Sequence, residues 1–188
     1  LNLKKIETAV LQLDKAARKK LFLINKKING SLNIYINKIY SNTRLINSLE
    51  SRLEFNNGNL LVNQLLLDLG KLGAADITGI LNNEKNSTIF FFKKNLFIDN
   101  LRIFFNKFGI YKKPEDPANL FVSGRINFNK SNVIFDEISG KEKFNNEELN
   151  YYQKEFNETI SENGLISFLT FNSIKEFIKS ISLEDKES

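Results

Sequence analysis

Apolar and polar residues alternate along residues 30–81, and this period of two is the strongest pattern in the sequence. The odd positions of residues 45–55 are apolar apart from Asn47 and Ser51, and the even positions of residues 48–54 are Ser, Glu or Arg. Because successive side chains of a β-strand point to opposite faces, one face is predicted to be apolar and the other to meet water. The stretch predicts four β-strands joined by short turns.

Two local features specify how these strands are connected. The dipeptide Asn57-Gly58 readily adopts the positive φ angles that a tight hairpin turn requires. After this turn the apolar face follows the even positions up to Asn63-Gln64 and the odd positions beyond it. Because one extra residue in a strand shifts the parity in this way, we expect a β-bulge at Asn63-Gln64.

The remaining strands are predicted from longer apolar runs. Residues 89–92 and 101–105 are apolar on both faces apart from Arg102, which fits strands covered on two sides or strands with one face on a ligand. A further strand pair is predicted at residues 120–128 and 133–138, after a possible hinge at residues 111–119 that holds both prolines. Together with the first four, these runs predict a sheet of about eight strands.

Helices are predicted at both ends of the chain. Residues 3–21 have the spacing of an amphipathic helix, within an N-terminal segment of residues 1–27. In the C-terminal segment of residues 141–188, Asn145 and Glu148 have the spacing of a capping box, as do Ser173 and Glu176. The helix predicted to begin after Asn145 would present one apolar face, formed by Leu149, Tyr152, Phe156 and Ile160. The fold predicted is mainly β, an extended, curved antiparallel meander over residues 28–140 with short flanking helices.

Composition narrows the possible functions. The sequence contains no Cys and no His, which removes the commonest nucleophile–base pairs and transition-metal ligands. We therefore expect no enzyme activity, no metal and no cofactor. The net charge is +5, and eight basic residues in the first 30 could contact anionic head groups or nucleic acid, or could form a solvated helix face. The chain begins with Leu1 and contains no Met, so we expect a fragment of a longer protein.

An extended meander must shelter its apolar face, either by closing on itself or by leaving a groove for an apolar ligand. If the groove is open, the residues predicted to line it are those of the apolar parity. They are Leu45, Leu49, Leu53, Phe55, Leu60, Val62, Leu65, Leu67, Ile77, Val122, Ile126 and Phe128. Packing of the same side chains into an ordinary core is the alternative.

The spacing G-x-L-x-I-x-I…L-x-S-x-L-x-F-x-N-G-x-L-x-V…L-x-L-x-x-x-G-A-x-D-I-x-G, as it stands from Gly30 to Gly79, resembles a known family. It is similar to the AsmA-like C-terminal region of bacterial envelope proteins, the group that includes the TamB- and YhdP-related proteins. The resemblance implies a periplasmic protein with a long β-groove, anchored in the inner membrane by a segment outside this fragment. It also implies phospholipid as partner, a role in outer-membrane lipid homeostasis, and no catalytic residues.

Three other functions are compatible with parts of the sequence. The sheet could be a non-enzymatic interaction module whose strand edges assist outer-membrane protein assembly. A carboxylate-dependent hydrolase would need a pair such as Asp136-Glu137 or Glu115-Asp116, but adjacent strand residues point to opposite faces. Nucleic-acid binding is disfavoured because the positive residues beyond the first helix are scattered and no base-stacking surface is evident.

Overall fold

The structure is a computed structural model that describes residues 1–14, 17, 20–40, 45–84, 87–107, 109 and 118–163. Its strands are β1 (Gly30–Ile36), β2 (Ser48–Asn56), β3 (Asn59–Asp68), β4 (Gly73–Glu84), β5 (Ser87–Ile98), β6 (Ala118–Asn127) and β7 (Asn132–Ser139). Its helices are α1 (Leu3–Leu11), α2 (Leu101–Lys107) and α3 (Asn146–Asn163), and a short 3-10 helix covers Gly70–Leu72.

The strands form one seven-stranded antiparallel sheet in which spatial order follows chain order. The first and last strands do not pair with each other, so the sheet is an open meander rather than a barrel. This architecture confirms the predicted fold class, and β1–β4 are the four strands predicted within residues 30–81. With strands ~4.8 Å apart, the seven strands make a sheet roughly 29 Å wide. This is somewhat narrower than the predicted sheet of about eight strands.

The turn and the bulge that the sequence predicts between β2 and β4 are both confirmed. Asn57 and Gly58 have φ angles of 49° and 86°, as a tight turn between antiparallel strands requires. Further along, Arg52 pairs with Gln64 whereas Leu53 pairs with Val62, so Asn63 is an extra residue in β3. The bulge allows the apolar side chains on both sides of Asn63 to lie on the same face of the sheet.

A second bulge, which the alternating pattern did not predict, lies in β7. Ser123 pairs with Glu137 and Gly124 pairs with Phe135, which leaves Asp136 as the extra residue. Residues three positions apart in a regular strand, such as Phe135 and Ile138, point to opposite faces. The bulge places both of them on the same face. Without it, one of these two apolar side chains would face the opposite side of the sheet.

Residues 101–105 form part of helix α2 rather than the predicted strand, and this prediction was wrong. The Asn100 Oδ1 accepts a hydrogen bond from the backbone N–H of Ile103 at 2.9 Å, which caps the helix start. Leu101, Phe104 and Phe105 are half-buried while Ile103 is 41% exposed, a spacing of three and four that suits a helix. The run is apolar at nearly every position, so alternation alone could not separate strand from helix.

The N-terminal helix is shorter than predicted. Helix α1 ends at Leu11, and residues 12–14 interrupt the predicted helix with a turn and bend. Ala17 and Lys20 are again helical, and residues 21–27 form turns and irregular structure. The Leu3 backbone N–H donates to the Tyr40 carbonyl at 2.8 Å, so α1 begins beside the segment that follows β1. No helix within the described residues is long and apolar enough to cross a bilayer.

Helix α3 begins at the predicted capping box, which is confirmed in full. The Asn145 Oδ1 accepts the backbone N–H groups of Glu147 and Glu148 at 2.9 and 3.0 Å. In return, the Glu148 carboxylate accepts the backbone N–H of Asn145 at 2.8 Å. The helix continues to Asn163. The predicted capping box at residues 173–176 and most of the possible hinge, namely residues 111–117, lie outside the described residues.

The packed core lies where α3 covers β7. The predicted helix face, Leu149, Tyr152, Phe156 and Ile160, is the face that α3 turns to the sheet. Ile160 is 1% exposed and Val133 is 2% exposed, and Phe135 and Ile138 complete the buried cluster. This end of the sheet is therefore packed as an ordinary two-layer α/β core.

Candidate functional site: the apolar face of the sheet

Strand pairing assigns one set of residues from all seven strands to a single face, which we call the apolar face. Residues that pair directly across an antiparallel sheet have side chains on the same side. The row through Leu53 therefore crosses the whole sheet as Leu32, Leu53, Val62, Gly79, Phe92, Gly124 and Phe135. The neighbouring row is Ile34, Ser51, Leu65, Ile77, Lys94, Val122 and Ile138.

Ten of the twelve predicted lining residues lie on this face. They are Leu49, Leu53, Phe55, Leu60, Val62, Leu65, Leu67, Ile77, Val122 and Ile126. Among them, Val122 and Ile126 pack against the core beneath α3, whereas the other eight lie on β2, β3 and β4.

The other two predicted residues, Leu45 and Phe128, lie outside the strands. Leu45 precedes β2, and Phe128 follows β6, where its ring stacks on that of Phe22 with the centroids 3.9 Å apart. Phe128 is therefore engaged in packing at the end of the sheet.

Strand β5 also contributes to the apolar face, although none of its residues was predicted to line the groove. Phe90, Phe92, Leu96 and Ile98 lie on the apolar face, while Phe91 and Phe97 lie on the opposite face and are 40% and 42% exposed. Because both parities of β5 carry aromatic residues, alternation cannot say which belongs to which side. The pairing of Phe92 with Gly79 and of Phe90 with Leu81 shows which residues of β5 lie on the apolar face, because the apolar face of β4 was already predicted.

The apolar face is covered unevenly. Among the described helices, α3 is the one that packs extensively on a strand, and it does so at β7. On β1–β4, Val62, Ala75 and Leu81 are buried, but most of the other apolar-face residues are half-buried, and Leu32 is 46% exposed. Within the described part of the chain, no helix therefore packs extensively on this part of the face.

Two shallow depressions of the described sheet are open to solvent, one on each face. One of about 420 Å³ is lined by Ile98, Ala118 and Leu120 of the apolar face together with Gly140. The other, of about 390 Å³, lies on the opposite face around Leu61 and Ile80. Neither is an enclosed cavity, so a ligand of the apolar face would lie on the surface of the sheet rather than inside a pocket.

Amide side chains fix the end of the sheet where the hairpin turns lie. The Asn83 Nδ2 donates to the carbonyl oxygens of Phe22 and Gly58 at 3.1 and 2.8 Å. The Thr88 hydroxyl donates to the Asn83 Oδ1 at 2.9 Å. With the stacked rings of Phe22 and Phe128, these bonds hold the segment after α1 across the turns. The segment after α1 therefore bounds this end of the apolar face.

One charged residue, Lys94, lies on the apolar face near its centre. It pairs with Ile77 of β4 and Val122 of β6, and its neighbours on the same face of β5 are Phe92 and Leu96. Part of the side chain remains accessible to solvent, but burial among these apolar neighbours lowers the pKa of Lys94 below the ordinary lysine value.

The carboxylates considered for hydrolysis show no paired arrangement within the described part of the sheet. Asp136 occupies the β7 bulge, and the Glu137 carboxylate accepts from the Lys143 ammonium at 2.9 Å. Glu115 and Asp116 lie outside the described residues. Among the residues that the structure describes, no group of three or more acidic side chains is arranged to hold a metal ion.

Comparison of the chain with protein-family models, with curated proteins and with solved structures found no match. The sheet and its apolar face are therefore the basis for inferring what the chain binds.

Proposed function

We propose that this chain binds the acyl chains of lipids along the apolar face of its open sheet. The observation that supports the proposal is the continuity of that face over β1–β4, with half-buried residues and no helix packed extensively on it within the described part of the chain. An apolar surface that the rest of a protein does not pack against is a common feature of binding sites.

The energetics of this surface suit a lipid tail. Each methylene transferred from water to an apolar surface contributes about 0.8 kcal/mol, so partial shelter of one acyl chain contributes several kcal/mol. The sheet is roughly 29 Å wide from β1 to β7, which is the length scale of one lipid and not of the gap between two membranes. The chain would therefore hold a lipid, and transport over longer distances would need additional protein.

The resemblance to the AsmA-like region supplies the biological setting of the proposal. In that setting the ligand is a phospholipid, and the chain belongs to a periplasmic protein anchored in the inner membrane that supports outer-membrane lipid homeostasis. The non-enzymatic character predicted from composition fits this setting, because binding an acyl chain needs surface rather than reactive groups.

Lipid extraction and a matched pair of variants test the proposal. We expect organic extracts of the purified chain to contain phospholipid or fatty acid by mass spectrometry, and a fluorescent fatty-acid analogue to bind. The double variant Leu53→Gln/Leu65→Gln changes the apolar face, and we expect it to weaken binding at least tenfold. The control Leu61→Gln/Leu66→Gln makes the same change on the opposite face of β3 and should leave binding intact.

Circular dichroism would verify that both double variants fold. A lipid-free protein that takes up no analogue, or equal binding by the two folded double variants, would contradict the proposal.

A second candidate function is supported by the contrast between the two sheet edges. The edge of β7 is occupied by α3, whereas no described segment pairs with the outer side of β1. Such an edge can accept a strand from another protein, as the assembly-module hypothesis requires. In hydrogen exchange with a urea-unfolded outer-membrane β-barrel protein, that hypothesis predicts protection of β1 amides. Unchanged exchange in β1 would argue against it.

A further inference from the structure

Lys94 is a cation without an ion-pair or hydrogen-bond partner among the described residues, in a position that the proposed acyl-chain binding does not use. It lies on β5, between Ile77 and Val122, at the border between the open face and the part packed beneath α3. Among the strand residues with a register partner, the apolar face carries no carboxylate, and no described residue forms a hydrogen bond or ion pair with the Lys94 ammonium.

A lysine in such surroundings is energetically costly. Removing an ammonium group from water without a compensating partner disfavours its charged form, which is why charged side chains are almost never buried unless they are paired. The direction of the pKa change of Lys94 agrees with this cost. By contrast, Lys93 lies on the opposite face between Thr78 and Ser123 and is exposed to solvent, where an ammonium costs nothing.

An anion beside Lys94 would remove the cost of burying its ammonium group. The apolar surface around Lys94 determines which kind of anion can bind there. A small hydrated anion would gain the charge contact but would lose its own hydration against Phe92 and Leu96. An amphipathic anion would bring its hydrophobic tail onto the neighbouring face at the same time. The tail has room, because β5 is separated from β1 by four strand spacings, about 19 Å.

We infer that Lys94 binds the anionic head group, a carboxylate or a phosphate, of an amphipathic ligand whose tail lies across the apolar face towards β1. This inference rests on the proposed function, and it adds the chemical class of the ligand and the point at which the head group is held. A ligand of this class would be held by its head group at the centre of the sheet rather than at an edge. The charge contact between ammonium and anion is strong where water is scarce.

Binding assays with four probes test the inference on the full chain. The probes are oleate, 1-oleoyl-lysophosphatidate, the neutral monoolein, and inorganic phosphate. We expect the wild type to bind both oleoyl anions at least tenfold more tightly than monoolein, and inorganic phosphate to compete with neither. Comparison of oleate with lysophosphatidate distinguishes a carboxylate from a phosphate head group.

Three variants separate the charge from the surface. Lys94→Met keeps an unbranched apolar side chain and should reduce the anion preference to less than threefold, with monoolein binding retained. Lys94→Arg keeps the charge and should retain the preference. Lys93→Met removes a charge from the next residue on the opposite face and should also retain it, which excludes a simple effect of net charge.

The outcomes separate the two proposals. If Lys94→Met keeps the anion preference while monoolein still binds, the inference is overturned and acyl-chain binding stands. The inference is overturned in the same way if the wild type shows no preference or if inorganic phosphate alone displaces oleate. If no oleoyl probe binds the wild type, the proposed function fails and the inference fails with it. Should Lys94→Met not fold, loss of the preference in Lys94→Gln and its retention in Lys94→Arg decide the question.

Discussion

The two ends of the sheet follow the same alternating pattern but differ in what lies on their apolar face. At the β7 end, α3 packs on Val133 and Phe135 and buries them to 2% and 8% exposure. At the β1 end, Leu32 is 46% exposed and its neighbour Leu53 is half-buried. Alternation therefore makes a face apolar in both places, and among the described residues a helix turns that face into a core at the β7 end alone.

The two edges of the sheet differ in the same way. The Asn157 side chain of α3 donates to the Val133 carbonyl at 2.8 Å and accepts its N–H at 2.7 Å, while Gln153 accepts the N–H of Phe135 at 3.1 Å. These amides occupy backbone groups of β7 that could otherwise pair with another strand. The outer side of β1 has no such partner in the part of the chain that the structure describes. The helix thus closes one edge as well as one part of the face.

The largest expected effect tests the covered end. Truncating Ile160, which is 1% exposed, leaves a cavity between α3 and β7, and Ile160→Ala should lower the free energy of unfolding by about 3 kcal/mol. Urea unfolding followed by circular dichroism measures the change. A loss below about 1 kcal/mol would show that α3 contributes little to stability and would remove the distinction between the two ends.

The next effect tests the amide contacts at the closed edge. Asn157→Ala leaves the N–H and C=O of Val133 without their protein partner, and we expect a loss of about 2 kcal/mol. Asn150 is an exposed residue on the same helix, so Asn150→Ala is the matched control and should change stability little. Equal effects of the two substitutions in urea unfolding would mean that the edge contacts do not stabilise the sheet.

A smaller loss of stability is expected for substitutions on the part of the apolar face formed by β1–β4. Leu53 is half-buried rather than fully buried, so Leu53→Ala creates a smaller cavity than Ile160→Ala and should cost about 1 kcal/mol. Its stability change should be clearly smaller than that of Ile160→Ala, while its affinity for a fatty-acid analogue should fall. A loss as large as that of Ile160→Ala would indicate that the open face is packed as tightly as the covered end.

The last prediction is a gain in stability rather than a loss. Burial lowers the folded-state pKa of Lys94, so between that pKa and the ordinary value of 10.5 the unfolded chain binds more protons than the folded one. Stability contributed by this group therefore rises with pH through that window, and the charged form is unfavourable below it. Lys94→Met should raise the free energy of unfolding at pH 7 and flatten its increase towards pH 10.5, by urea titrations at several pH values.

Lys93→Met is the control for the gain at pH 7. Because Lys93 is exposed on the opposite face, its replacement should leave the stability at pH 7 close to that of the wild type. A destabilised Lys94→Met variant would indicate that the ammonium has a favourable role in the ligand-free fold.

Features set by neighbouring residues were predictable from the sequence. The turn at Asn57-Gly58 depends on the φ angles that these two residues adopt, and the capping box at Asn145 and Glu148 is complete within four residues. The bulge in β3 was visible as a change of parity because the apolar positions on both sides were clear. Each of these signals acts over a few residues, so one sequence contains all of the information.

Features that depend on distant partners were not predictable. Asn83 and Asn157 occur in a chain rich in Asn, and only folding brings them against Gly58 and Val133. The side chain of Lys94 could belong to either face until β5 was paired with β4. Helix α2 was predicted as a strand because an almost wholly apolar run of five residues has no period that distinguishes helix from strand.

The sequence by itself determined that an open or closed antiparallel meander would form, where its first strands turn, and which of their faces is apolar. The reason is that alternation and turn residues act locally and repeat along the chain. Only the tertiary structure decided that the meander stays open, that α3 covers the β7 end, and that Lys94 lies on the apolar face. These outcomes depend on register and on helix docking, which join residues far apart in the sequence.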